Sequence, residues 1–355
     1  MSPKESKLHY PEKSLWQFLV AILLVVLPVL MILFNGNRAF NGIFWERPQV
    51  ITTGNATFSD QENAVTVEMK VRKNAPVFGV YDPEGRFSAD TCFALEQVYI
   101  SWINFDASAL HSRIENIKRQ KRIPVINIEP WSKAGKENTL MQDIIYSKYD
   151  AEIQKVIKSL TGFTGEFYFS WGHEMDQDLT KRYPWSGADP QKYIATYKYV
   201  ADKLKAVPGI ESKWIWSPVG KKGCDKYWPG AEYADFIGMP IYSYPAWDKS
   251  YYGHIRSFKS WYDEKYALIK QFNKPVIIVE MGVTGSPDYQ TFWLQEAFNT
   301  IKSDPTIEAI LFFYTKDTPG SWGANVETPD WRTNPDVIRG LVNWIRGEYT
   351  TRIKK

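Results

Sequence analysis

Beyond residue 75 the chain alternates between short apolar runs and longer segments whose apolar residues recur at helical spacing, and this alternation limits the fold more than any other feature. The runs are PVFGVY, QVYISWINF, IPVINIEPW, EFYFSW, KWIWSP, FIGMPIYSY, PVIIVEMG and IEAILFFYT. A helical stretch is expected after the first, SALHSRIENIKRQ follows the second, and a long segment ending near Leu160 follows the third. PQKYIATYKYVADKLKAV follows the fourth, a shorter loop-rich region the fifth, SFKSWYDEKYALIKQF the sixth, YQTFWLQEAFNTIKS the seventh and PDVIRGLVNWIRGEY the eighth. Near-continuous apolar strands are buried on both faces, and strands joined by amphipathic helices lie parallel. Eight such units predict an α/β fold, a (β/α)8 TIM barrel over residues 76–350. A doubly wound open sheet would carry a GxGxxG turn after its first strand, and no such turn is present.

Residues 15–34 read LWQFLVAILLVVLPVLMILF, free of charge. At about 1.5 Å per residue such a helix crosses a bilayer core of about 30 Å. A single N-terminal transmembrane helix is therefore expected to precede the barrel. The other reading is a cleaved signal peptide, but its apolar region usually runs about 7–15 residues, and the following NGNRAFNG lacks a small-x-small cleavage site. Lys4, Lys7 and Lys13 precede the run and Arg38 and Arg47 follow it. That excess places residues 1–14 in the cytoplasm and the barrel on the extracytoplasmic side of a single-pass membrane protein. Residues 35–75 are polar and irregular and read as a linker or an N-terminal flap.

The 43 basic and 40 acidic side chains leave a charge of +3 with no Lys/Arg block and no zinc-finger spacing, so nucleic acid is not an expected partner. Cys92 and Cys224 stand far apart in no CxxC pair, and one disulfide between them stays open. The histidines are His9, His111, His173 and His254; HEMDQ begins like a zinc-protease motif but ends in Gln177, so neither a metal nor another cofactor is expected.

In a barrel of this kind the site lies at the carboxyl ends of the strands. Three apolar runs close on a glutamate: Glu129 after the third, Glu174 after the fourth and Glu280 in the seventh. A carboxylate there costs desolvation that a stabilising role does not explain, although a salt bridge to a loop cation would offset it. Two carboxyls facing one bond suit glycoside hydrolysis, with one protonated and one ionised. The negative field of Asp176 and Glu280 is expected to favour the protonated form of Glu174, and the Tyr242 hydroxyl to keep Glu280 anionic.

WGHEMD, YPWSG, WIWSPVG, YWPGAEYADFIGMPIYSY and KPVIIVEMG together resemble glycoside hydrolase family 26, the family of β-mannanases, lichenases and some xylanases, over most of residues 76–345. The resemblance implies a retaining mechanism with Glu174 as acid/base and Glu280 as nucleophile, supported by His173 and Tyr242. DWR at Asp330 to Arg332 resembles the family's segment after the eighth strand. Three positions depart from the family's habit: Asp176 stands where Asn is common, Ser170 where Arg is frequent, and Leu179 where an aromatic follows the acid/base. Of Trp102, Trp131, Trp171, Trp185, Trp216, Trp247 and Trp322, near strand ends, about half are expected to face sugar. The expected substrate-binding set is His173, Tyr242, Trp102, Glu129, Trp171, Trp185, Trp216 and Trp322. The function this implies is a membrane-anchored retaining endo-β-glycanase acting on a β-linked polysaccharide or oligosaccharide. The alternative is a weakly or non-catalytic barrel that binds an exopolysaccharide during export or assembly, with a membrane polysaccharide synthase complex as partner.

Overall fold

Eight strands pair in chain order: β1 (Val77–Tyr81), β2 (Leu95–Ser101), β3 (Ile123–Glu129), β4 (Gly165–Trp171), β5 (Ile210–Trp216), β6 (Phe236–Ser243), β7 (Val276–Val283) and β8 (Ile307–Phe313). All neighbours are parallel, and β8 closes on β1 from the Val77 and Ala309 pair to the Tyr81 and Phe313 pair. The computed structural model describes residues 75–177, 182–323 and 325–353. The cytoplasmic segment, the anchor, nearly all of the linker, and Leu179 lie outside the described residues. Among the described residues no helix is long and apolar enough to cross a membrane.

The helices are α1 (Ala107–Arg119), α2 (Leu140–Ile145), α3 (Asp150–Leu160), α4 (Pro190–Lys205), α5 (Pro245–Tyr252), α6 (Phe258–Ile269), α7 (Pro287–Ser303) and α8 (Pro335–Ile353). Their starts follow capping chemistry. The Asp106 carboxylate accepts from the Ser108 and Ala109 amides ahead of α1, and α4 and α7 open on proline behind Asp189 and Ser286 caps.

Two connections differ from the sequence expectation. The helix expected after β1 is absent: residues 82–94 form turns, because DPEGRFSAD is rich in turn formers. The Phe87 amide donates to the Asp82 carboxylate at 2.7 Å, and Arg122 holds the loop by donating to the Phe87 and Asp90 carbonyls. The second difference is α5, an extra helix between β6 and α6 that opens on Pro245 directly at the mouth end of β6.

Side chains alternate along each strand. On β4, Phe167, Phe169 and Trp171 pack toward the helices, whereas Tyr168 lies against the barrel interior. Leu95, Val125, Ile215, Ile277, Val279, Ala309 and Leu311, all from strands, fill that interior. Cys92 and Cys224 are both free and buried.

On β7 the alternation breaks. Gly238 and Pro240 of β6 face Ile277 and Glu280, and on the other side Ile278 and Met281 face Ile310 and Phe312. Between these positions β7 takes three steps where each neighbour takes two, which is a β-bulge. Ile277 and Val279 point inward, so strict alternation would send Glu280 out among the helices with Ile278. The additional residue returns it to the interior. Gly238 accommodates the bulge, because a Cβ there would meet Val279 Cγ1 at 2.7 Å and crowd the Ser217 hydroxyl.

Candidate active site

The segment after β4 turns sharply at Gly172 and carries Glu174 in the left-handed region, at φ 55°. For a residue with a side chain this costs about 1–3 kcal/mol and persists where the surroundings enforce it. Here the Glu174 amide donates to the Ser217 carbonyl at 2.8 Å, and its carbonyl accepts from the Gln177 amide and the Ser186 hydroxyl, each at 3.2 Å. These bonds fix the backbone from three sides. Glu174 is 8% exposed and lines a pocket together with Glu280. Its Oε2 accepts from Gln177 Nε2 at 2.7 Å, with Arg182 Nη1 at the long ion-pair distance of 4.0 Å.

Asp176 has a structural task that the sequence did not suggest. Its carboxylate accepts from the Val219, Gly220 and Lys221 amides at 2.7, 3.0 and 2.8 Å, tying the loop after β4 to the loop after β5. Burial raises its pKa and the three amides oppose that rise. The carboxylate thereby braces the two loops.

His173 is buried, and burial lowers its pKa to about 4 although Glu129 opposes this; the ring is neutral near pH 7. Its Nε2 stands 4.0 Å from Glu129 Oε1, and its Nδ1 has no hydrogen-bond partner among the described residues. Glu129 in turn accepts from Trp131 Nε1 at 2.9 Å.

Glu280 receives one hydroxyl on each oxygen: Tyr99 donates to Oε1 at 2.5 Å and Tyr242 to Oε2 at 2.7 Å. The bond expected from Tyr242 is present, and Tyr99 is a partner the sequence reading missed. Burial first, then the charge of Glu174, push the Glu280 pKa up to about 7; the two hydroxyls and Arg182 pull it down. Both tyrosines are raised well above their usual range, by burial first and then by Glu280, so they stay neutral donors. Tyr242 is backed by Trp331, 4.4 Å between ring centroids, and this close packing needs Gly282, where a Cβ would meet both rings at 2.9 Å. Asn127, His173, Glu174, Ser217, Pro240, Val279 and Glu280 line one shared pocket. Among the described residues no group of three or more His, Cys, Asp or Glu is placed to hold a metal ion.

Four of the expected substrate-binding rings are elsewhere. Trp102, Trp171, Trp185 and Trp216 are at most 1% exposed and belong to the core. Trp102 stacks on Tyr149 and donates from Nε1 to the Trp131 carbonyl; Trp171 packs on Tyr193; Trp185 stacks on Tyr183 at 4.5 Å; Trp216 meets Trp228 edge-on. The physical reason for Trp171 is strand phase: it follows Phe167 and Phe169 at two-residue spacing and so faces the helices. Trp185 acts on the site from behind, donating to the His173 carbonyl at 2.6 Å. Trp322 does lie beside Tyr242, at 5.9 Å, with Nε1 donating to Asp317. Tyr99 could have been found from the alternation Leu95, Gln97, Tyr99 on β2, whereas Arg182 and Gln177 carry no periodic signal.

Residues 146–303 match glycosyl hydrolase family 26. The chain is 24% identical over 253 residues to endoglucanase H of Acetivibrio thermocellus, covering 66% of this chain and 25% of that protein. It is 23% identical over 216 residues to a β-1,3-xylanase of Alcaligenes sp., covering 58% and 41%. The chain thus spans less than half the length of these curated relatives. Among solved structures, a family 26 β-mannanase from Bacteroides ovatus superposes with TM-score 0.56 at 16% identity, over 77% of this chain and 90% of that one. A family 26 protein from Muricauda sp. gives 0.52 at 14%, over 68% and 79%. At these identities the structural likeness is one of fold.

Proposed function

We propose that the barrel is a glycoside hydrolase that cuts β-linked polysaccharide internally with retention of configuration, using Glu280 as nucleophile and Glu174 as acid/base. The observation that carries this reading is the unequal treatment of two carboxyls in one pocket. Glu280 accepts a hydroxyl on each oxygen, which favours its anion, while Glu174 accepts from the Gln177 amide on Oε2 with Arg182 at 4.0 Å from the same oxygen. The proposed chemistry uses Glu174 in its protonated form and Glu280 as the carboxylate.

In the first step Glu174 gives its proton to the glycosidic oxygen as a Glu280 oxygen bonds to the anomeric carbon; the leaving sugar departs with the proton, and a glycosyl ester remains. In the second, Glu174 takes a proton from water, the hydroxide oxygen bonds to the anomeric carbon, and Glu280 leaves as carboxylate. Neutral Tyr99 and Tyr242 hold Glu280 in line for attack. Such pairs stand about 5–5.5 Å apart in retaining enzymes. The family match and the relatives' names support a β-glycan as substrate.

The test is incubation with mannan, mixed-linkage β-glucan, xylan and β-1,3-glucan, with sizing of products and NMR of the anomer first released. Internal cuts in one polymer and initial β-anomer are expected; initial α-anomer would replace retention with inversion. Polymer bound but never cut would favour the export or assembly barrel instead.

The same proposal keeps the barrel outside a membrane, anchored by residues 15–34; its support is the charge-free apolar run and the lysines before it. Amino-terminal sequencing of the mature protein should find residues upstream of Asn35. A start near Asn41 would remove the anchor from this account.

A further inference from the structure

Beyond the pocket, a line of aromatic rings leads away from Glu280 to the surface. Tyr242, whose hydroxyl bonds Glu280, meets Trp322 edge-on at 5.9 Å. Trp322 meets Trp247 edge-on at 5.3 Å, and Trp247 stacks on Tyr251 at 4.8 Å with the ring planes only 6° apart. Tyr251 is 71% exposed. Trp247 and Tyr251 sit four residues apart on α5, the extra helix, and so share one of its faces.

We propose that Trp247 and Tyr251 form a distal platform that binds an outlying stretch of a β-linked glycan, beyond the sugars held at the cleaved bond. Three observations support this. The platform is continuous with the site: Asp317 accepts from the indole nitrogens of both Trp322 and Trp331, fixing the wall between Tyr242 and α5. It is pre-formed, because Trp247 and Tyr251 brace each other in parallel, so binding would order few side chains. And its outer ring is left in water, although burial of an aromatic is worth several times thermal energy. The C–H face of a pyranose ring is the chemical complement of such a flat, exposed ring, as no charge on the ligand is required and the tyrosine hydroxyl can bond to a sugar hydroxyl. The arrangement also gives α5 a use: it adds nothing to barrel closure but extends the mouth on the β6 side.

The inference rests on the glycanase reading for its ligand, but its test separates the two. Full-length protein carrying Tyr251→Ala or Trp247→Ala is compared with the parent in native gels cast with mannan, mixed-linkage β-glucan or xylan, and in hydrolysis of oligosaccharides of increasing length. Tyr146→Ala, which removes an exposed ring outside this line, is the control. The expected result is a loss that grows with chain length, reaching about tenfold in KM or in gel-derived affinity for polymer, with kcat little changed. Because Tyr251 is largely exposed, its replacement leaves folding intact.

Three results would overturn the platform: an equal loss on short and long substrates, no loss at all, or a parent that none of the polymers retards. A Tyr251-dependent dimer on gel filtration would also overturn it, assigning the face to self-association. If the parent is retarded through Tyr251 yet cleaves nothing, the platform stands and the hydrolytic reading falls.

Discussion

Glu280→Ala is expected to lower kcat by about 10⁴-fold or more, the scale associated with removing a covalent nucleophile, while the protein keeps its fold. Added azide should restore turnover and give the α-glycosyl azide, because a small anion can enter the space the carboxylate leaves and attack from the same face. Retained activity, or rescue yielding only the hydrolysed sugar, would move the nucleophile elsewhere. A milder companion variant tests how the carboxylate is kept ionised. Tyr99→Phe removes one hydroxyl that favours the anion, so the Glu280 proton affinity should rise. Activity requires the anion and is lost as pH falls through this pKa. The acid limb of kcat/KM should therefore move to higher pH by about one unit, the equivalent of one hydrogen bond to a charged group. An unmoved limb would mean that Tyr99 only fills space.

Glu96→Ala is expected to destabilise the barrel by about 3–5 kcal/mol, lowering Tm by roughly 10 °C. Glu96 lies on β2 with a side chain 2% exposed and receives Arg113 on one oxygen and Arg122 on the other, each at 2.6 Å. Arg122 is equally buried and also carries the carbonyls of the loop between β1 and β2. Removing the carboxylate leaves that guanidinium enclosed without its counter-charge, which costs far more than the pair itself contributes. Glu96→Leu combined with Arg122→Met should recover part of the loss, since the fully buried guanidinium is gone and the Arg113 left behind is partly exposed. Thermal unfolding followed by circular dichroism decides the point. A single variant melting with the parent would show that Arg122 finds water or another acceptor. The size of the effect reflects the loop's construction: turns take the place of a helix between β1 and β2, so the arginine clamp carries packing that a helix supplies in most other units of the barrel.

The strands were legible because strands buried on both faces have little freedom but to be apolar, and each run from PVFGVY to IEAILFFYT overlaps one of β1 to β8, with ends displaced by up to four residues at β2. The glutamates at strand ends stood out as charged residues closing apolar runs. What sequence did not disclose was direction. Trp102, Trp171, Trp185 and Trp216 occur near strand ends as surface platforms would, yet phase and packing turn them into the core. Asp176 reads as a free acid beside Glu174, but its partners are amides more than forty residues away, which no local spacing reveals. The short α5 escaped because eight residues opening on Pro245 look like loop, and with it went the exposure of Tyr251.

The bulge in β7 has a consequence for anyone who would edit or transplant this site. Because one residue is surplus, the root of the strand and its tip run out of phase, and Glu280 keeps its aim only while that surplus is retained. Deleting Val279 would leave a strand of much the same composition, still able to pair on both sides, with its carboxylate swung among the helices. A catalytic barrel would become an inert one with hardly a change in hydrophobic content. The geometry is thus stored in a count rather than in a residue type, and a graft of the glutamate onto another barrel must carry the surplus residue, and a glycine opposite it to make room.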